Sequence, residues 1–355
     1  MIDFRYHLVS LVAVFIALAI GIVLGAGPLR EGISETLDDE VAQLRTERAE
    51  LRGQLEVQSR HATAKDEAVD LLSPRGVAGT LNGTRIATVL LPGADRNHVA
   101  LLEDRVADAG GALVLRVEVD DSLEEGQVDQ AVVDDLAGRL ALPEPREGDQ
   151  PTIGAVLAAS LVGADREGEV GAWLAAGERL QDEGLVDLAW QDVQAQVTDR
   201  RPPDVLLLVG GGLSAAALAE EDPELERVLE VRQDLVAGIA GLEHPLVIAS
   251  AGAEVDALAE GGGQDGLVRA VRDDGRLSDE VSTVDDLEAA SGRAAAVLAL
   301  AWELQGEAGH YGLGDGSEAP VPAPPPLRLA SGPGAGAEPA ATEPVPDDSA
   351  ATTAP

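Results

Sequence analysis

Between Leu8 and Gly27 the chain reads LVSLVAVFIALAIGIVLGAG, without one charged side chain. A helix of roughly 20 residues rises about 30 Å, the depth of a bilayer's hydrocarbon layer, so the run predicts a single membrane-spanning anchor over residues 1–28. A cleaved signal peptide is the competing reading. Its apolar core normally covers only about 7–15 residues, and Pro28 is a poor residue to follow a cleavage site. Apolar residues surround the segment on every face, which suits lipid better than packing of one face against a soluble core. Phe4 and Tyr6 fall where interfacial aromatic residues sit. Arg5 precedes the span and Arg30 follows it, so charge leans only slightly toward an N-terminus in the cytoplasm.

Pro28 and Gly32 are expected to interrupt the helix after the span, and a heptad pattern follows. Leu37, Val41, Leu44, Arg48, Leu51, Leu55, Gln58, Ala62, Lys65, Val69 and Leu72 alternate four and three apart and so share one helical seam. This predicts a coiled-coil stalk over residues 29–75, a site of self-association or of contact with a membrane protein partner through Leu37–Leu72. A single amphipathic helix packed on its own domain is the alternative. Arg48, Gln58 and Lys65 are polar seam positions that weaken the pairing or specify its register. Ser73, Pro74 and Gly76 are expected to end the segment.

From Thr84 short β-branched runs alternate with helical ones. Strands are expected at Arg85–Leu91, Ala112–Val119, Val205–Val209, Leu246–Ser250 and Val281–Val284. Helices are expected at His98–Ala109, Pro223–Ile239 and Gly292–Gln305, with a mostly helical stretch from Gln127 to Leu180 broken by a loop at Pro143–Pro151. This alternation predicts an α/β domain over residues 80–312 with a doubly wound, largely parallel, Rossmann-like sheet. Residues 314–355 are rich in Pro, Ala, Gly, Ser and acid, without apolar periodicity, and read as a disordered tail.

Composition excludes several functions. Sixty-four acidic residues against 25 basic give a net charge of −39, a surface that repels nucleic acid and anionic lipid. The absence of Cys removes disulfides, thiolate nucleophiles and zinc-finger spacing. Open α/β sheets bind ligands beyond the carboxyl ends of their strands. There, Leu91-Pro92-Gly93-Ala94-Asp95 lacks the dinucleotide glycines, and Gly210-Gly211-Gly212-Leu213-Ser214 has no basic residue and no Walker spacing. Ser250-Ala251-Gly252 is weaker still. His7, His61, His98, His244 and His310 are scattered, and the pair Asp285 and Asp286 reads as a solvated face. No catalytic, cofactor-binding or metal-binding residue is assigned, and no enzyme is expected. Cuprous copper prefers sulfur ligands, and Met1 is the only sulfur in the chain.

The opening Met1-Ile2-Asp3-Phe4-Arg5-Tyr6-His7-Leu8-Val9-Ser10-Leu11-Val12-Ala13-Val14-Phe15, continued by Ala17, Leu18, Gly21, Leu24 and Gly25, resembles the actinobacterial copper transporter family typified by the mycobacterial copper transport protein B. Ser282-Thr283-Val284-Asp285-Asp286, Gly292-Arg293 and Gly309-His310-Tyr311-Gly312 resemble its C-terminal pattern. The resemblance implies copper homeostasis or efflux, with copper as the metal concerned, in a single-pass protein of the cell membrane whose bulk is extracytoplasmic. It also implies an alternative: an envelope scaffold that recruits a membrane partner and regulates cell-wall hydrolysis or division. One span cannot enclose a pore alone, and a lipid-spanning barrel needs alternating strands of roughly 9–11 residues that this chain lacks.

Overall fold

The computed structural model describes residues 4–26, 28–125, 128–142, 150–167, 169–191, 200–211, 213, 218, 222–252 and 265–325. The chain divides into two units, residues 1–65 and 66–355.

The first unit is helical. Helix α1 (Phe4–Ala26) follows from the apolar run. Its stretch Phe4–Val23 is long and apolar enough to cross a membrane by length and composition, and none of it is buried within the chain. Helix α2 (Pro28–Val77) begins at the proline expected to interrupt it and contains Gly32. Proline is tolerated in the first turn because its missing N–H would have no helical partner there. The expected stop at Ser73–Gly76 is also overrun. Pro74 cannot donate to the carbonyl of Asp70, and the Ser73 hydroxyl donates to that oxygen instead at 3.2 Å. The helix therefore reaches Val77, which is buried in the second unit.

The second unit is mixed α/β, built on seven strands in one sheet of order β3-β2-β1-β4-β5-β6-β7. These are β1 (Arg85–Leu90), β2 (Ala112–Val119), β3 (Val186–Trp190), β4 (Val205–Gly210), β5 (Leu246–Ser250), β6 (Ser282–Val284) and β7 (His310–Tyr311). Every neighbouring pair is parallel except β2 with β3. The expected strands are found to within a residue. The edge strands β3 and β7 were not foreseen: β3 follows the helical stretch, with only its first residue fully buried, and β7 has only two residues.

Between the strands lie α3 (Arg96–Asp108), α4 (Asp121–Glu124), α5 (Gln130–Ala137), α6 (Ile153–Val162), α7 (Ala172–Asp182), α8 (Pro223–Gly241), α9 (Gly266–Asp273), α10 (Leu277–Glu280) and α11 (Ala290–Glu303). Part of the acidic excess starts these helices. Asp95, Asp129, Asp222 and Asp265 accept backbone N–H groups at the N-caps of α3, α5, α8 and α9. The loop expected at Pro143–Pro151 lies mostly outside the described residues.

Alternating strand residues feed two cores. Ala87, Val89, Leu206, Leu208, Leu246 and Ile248 pack with Leu157, Val236, Ile239 and Val268 from α6, α8 and α9. Ile86, Leu90, Val205, Leu207 and Val247 pack with Val77, Leu102, Val106 and Leu300 from α2, α3 and α11. Successive side chains of a strand point to opposite faces, so helices cover the sheet on both. Residues 314–325, the start of the expected tail, bond back onto this unit: Glu318 N donates to the His310 carbonyl, and Trp302 Nε1 to that of Ala323. Residues 326–355 lie outside the described residues.

Candidate functional site

The strand order reverses direction between β1 and β4, where an open α/β sheet usually offers its ligand crevice. Here protein groups fill that place. After β1 the chain turns at Pro92 and Gly93 into α3, whose first N–H groups are taken by Asp95. Gly211, after β4, approaches Gly93 so closely that a Cβ would strike the Gly93 carbonyl. Arg232, from α8, reaches the same place. Its Nε and Nη2 donate to Glu124 at 2.8 and 3.0 Å, Nη1 to the Gly211 carbonyl at 2.9 Å, and Nη2 also to the Pro92 carbonyl at 3.0 Å. Burial pushes the Glu124 carboxyl upward, and the hydrogen bonds and charge of Arg232 pull it back. Both side chains are nearly inaccessible. The guanidinium thus clamps two loops and a helix together at the carboxyl end of the sheet.

Beside this plug an open cavity of about 510 Å³ is lined by Gly93, Arg96, Glu118, Asp120, Gln181 and Asp187, among others. Arg96 pairs with Glu118 at 2.6 Å, and Asp120 accepts the Ser122 N–H. Gly212 and Ser214, in the glycine run after β4, lie outside the described residues. Ser250 is buried, and its hydroxyl finds no partner among the described residues.

The C-terminal motif residues converge at the β6–β7 edge. Arg272 of α9 donates through Nε to Thr283 Oγ1, through Nη1 to Asp285 and through Nη2 to the Tyr311 carbonyl, each at 2.8 Å. Asp285 also accepts the N–H groups of Leu313 and Gly314 at 2.5 and 3.1 Å. Gly312 sits at φ 121°, where a Cβ would strike the Asp285 carboxylate. Asp285 is only 3% exposed, which corrects the expectation of a solvated face. Thr283 Oγ1 lies 2.9 Å from His310 Nδ1. Burial, then the charge of nearby Arg272, holds the His310 imidazole below its usual range.

The remaining motif residues meet the end of α2. Asp66 accepts the Ala290 N–H at 2.6 Å, at the start of α11. Asp70 accepts from Arg105 at 2.9 Å and from Arg293 at 3.4 Å, while Arg293 also donates to the Glu288 carbonyl at 2.6 Å. Asp286, left-handed at φ 66°, turns the chain so that Leu287 N reaches the Ser250 carbonyl at 3.0 Å. Gly292 lets α11 close over the Asp286 carbonyl. Burial, then the charges of Glu288, Asp285 and Asp66, push the Asp286 carboxyl up to about 7.

Sequence reasoning missed Arg232, Glu124, Arg272 and Asp70. Arg232 had a usable signal: it stands at i of an i, i+3, i+4, i+7 stripe with Leu235, Val236 and Ile239, a lone cation on a buried face. The five histidines are not brought together. His7 and His61 are exposed on α1 and α2, His98 is in the first turn of α3, His244 lies before β5, and His310 is in β7. Among the described residues no group of three or more His, Cys, Asp or Glu is placed to hold a metal ion.

Fold and site together define a mixed α/β domain, its sheet crevice closed by an internal ion pair, in a chain that opens with an apolar helix fit for membrane anchoring. Residues 1–322 match the model of the family described as "Copper transport outer membrane protein, MctB", and the chain belongs to that family. Relatives named "Copper transporter MctB" from Mycobacterium tuberculosis and Mycobacterium bovis are 27% identical over 332 residues, covering 89% of this chain and 98% of theirs. A relative of the same name from Mycobacterium leprae is 33% identical over 113 residues, covering 32% of this chain and 36% of its own. The family is named for copper transport, not for an enzymatic reaction.

Proposed function

We propose that this chain is a membrane-anchored envelope protein of copper homeostasis or efflux, with copper as cargo and no catalytic, cofactor-binding or metal-ligating residue of its own. The observation that carries the proposal is the family match, which spans the apolar helix and the α/β domain alike. Residues 1–28 are a retained single-pass anchor in contact with lipid through Leu8–Gly27. Residues 29–75 form a coiled-coil stalk, residues 80–312 a doubly wound Rossmann-like domain outside the cytoplasmic membrane, and residues 314–355 a disordered tail.

A scaffold that recruits a membrane partner through the stalk, and so regulates cell-wall hydrolysis or division, is the second reading. The observation favouring it is the row of exposed leucines along α2, including Leu44, Leu51 and Leu55. The described strands form one open sheet under helices, not a lipid-facing antiparallel barrel, so conduction would rest on assembly of the anchor helix. Cells lacking the protein should accumulate copper and become copper-sensitive; normal copper content and tolerance with a division defect would favour the scaffold instead. Reporter fusions after Leu72 should be active only outside the cytoplasm, and activity confined to the cytoplasm would overturn the topology.

A further inference from the structure

Within the unit of residues 1–65, α2 carries a stripe of large apolar side chains that its own chain leaves uncovered. Leu44, Leu51 and Leu55 are 59%, 53% and 66% exposed, and Val41 is exposed beside them. We infer that this stripe pairs with a second copy of the same chain as a parallel, in-register, two-stranded coiled coil. The inference rests on the coiled-coil reading of the stalk and adds partner, direction, register and number of strands.

The flanking charges select the partner. In heptad terms Val41, Arg48, Leu55 and Ala62 occupy a positions and Leu44, Leu51, Gln58 and Lys65 occupy d positions. Glu40 and Glu47 are then at g, and Arg45 and Arg52 at e. All four are exposed, and none makes an ion pair within the described residues of its own chain. In a parallel pair each g position faces an e position of the next heptad across the seam. Glu40 therefore meets the partner's Arg45, and Glu47 meets the partner's Arg52. An antiparallel pair sets g against g and e against e, which places glutamate beside glutamate and arginine beside arginine. A slip of one heptad keeps only half of the favourable pairs. A β-branched Val41 at a with Leu44 and Leu51 at d favours two strands over three.

Anchoring gives an independent reason for the direction. Two copies inserted through α1 in one bilayer leave it on the same side, so their stalks run parallel. Arg48, at an a position, faces its own copy across the seam, a layer that weakens the pair while resisting register slips.

The chain contains no cysteine, so single-cysteine variants of the full-length protein in its membrane report one position each. Under mild oxidation, Leu44→Cys and Ala62→Cys should each yield a disulfide-linked species of twice the chain mass. Glu50→Cys, on the outer face, should yield none. The detergent-solubilised parent should sediment as two copies. Glu40→Arg with Glu47→Arg should lower crosslinking through Leu44→Cys roughly tenfold, and mixing with copies carrying Arg45→Glu and Arg52→Glu should restore it. Crosslinks formed only between mixed Leu44→Cys and Ala62→Cys copies would overturn the parallel direction while leaving a coiled coil in place. A three-copy mass would overturn the two-stranded form. No crosslink in any combination would overturn self-pairing. The coiled-coil reading itself fails only if Leu44→Glu with Leu51→Glu also leaves every self and partner association of the stalk unchanged.

Discussion

Arg232 and Glu124 lie 108 residues apart in sequence, yet they share one buried charge-assisted contact at the carboxyl end of the sheet. Because the pair is almost inaccessible, removing one partner leaves the other buried and uncompensated, at a cost of about 3–5 kcal/mol. Arg232→Met should therefore lower the unfolding midpoint in denaturant sharply, and Glu124→Leu in the same background should recover much of the loss. Glu303 supplies a second test at this scale. Burial pushes its carboxyl up to about 7, although it accepts the Ser282 N–H at 2.6 Å. The folded chain holds this proton up to about pH 7, whereas the unfolded chain releases it near the ordinary value of 4.5. Its contribution to stability is thus complete below pH 4.5 and is lost as pH rises through 7. Glu303→Gln should change little at pH 4 and should gain stability relative to the parent by up to roughly 3 kcal/mol at pH 8. A difference that is flat with pH in equilibrium unfolding would contradict this account.

At the scale of elements, α2 changes character along its length. Leu44, Leu51 and Leu55 are exposed, whereas Asp66, Asp70 and Val77 belong to the second unit through an N–H of α11, two arginines and the core. A soluble fragment beginning at Asp66 should therefore be more stable than one beginning at Thr80. Burial of Val77 and loss of the Asp70 ion pairs place the difference at roughly 3 kcal/mol. Denaturant midpoints of the two fragments provide the measurement, and equal midpoints would show the end of α2 to be dispensable. The sequence placed a helix here correctly. It set the end too early because the Ser73 hydroxyl bonding that lets the helix pass Pro74 is not a propensity.

At the scale of the whole molecule, the family concerns copper, while residues 66–325 contain neither Cys nor Met and keep their histidines apart. A fragment of those residues should bind cuprous copper weakly, because nitrogen ligands alone, without sulfur and without convergence, make a poor site for a soft ion. Competition against a chelator should reveal no stoichiometric tight binding. A single tight site abolished by His310→Ala would overturn this expectation and move the cargo site into the domain. If binding is weak as expected, copper handling by this protein depends on the anchor, the stalk or what they assemble.

What the sequence determined by itself was every feature with a local period or composition: the apolar helix α1, the helical run of α2, and the inner strands β1, β2, β4, β5 and β6. Such features are legible because neighbours within one turn or one strand decide them. Only the tertiary structure decided that Asp285 is buried against Arg272, that Arg232 closes the sheet crevice, and that Asp66 holds the start of α11 from 224 residues away. In an acidic chain of this kind a structural carboxylate looks the same in sequence as a solvated one, because what separates them is the distant cation or N–H that the fold brings within 3 Å.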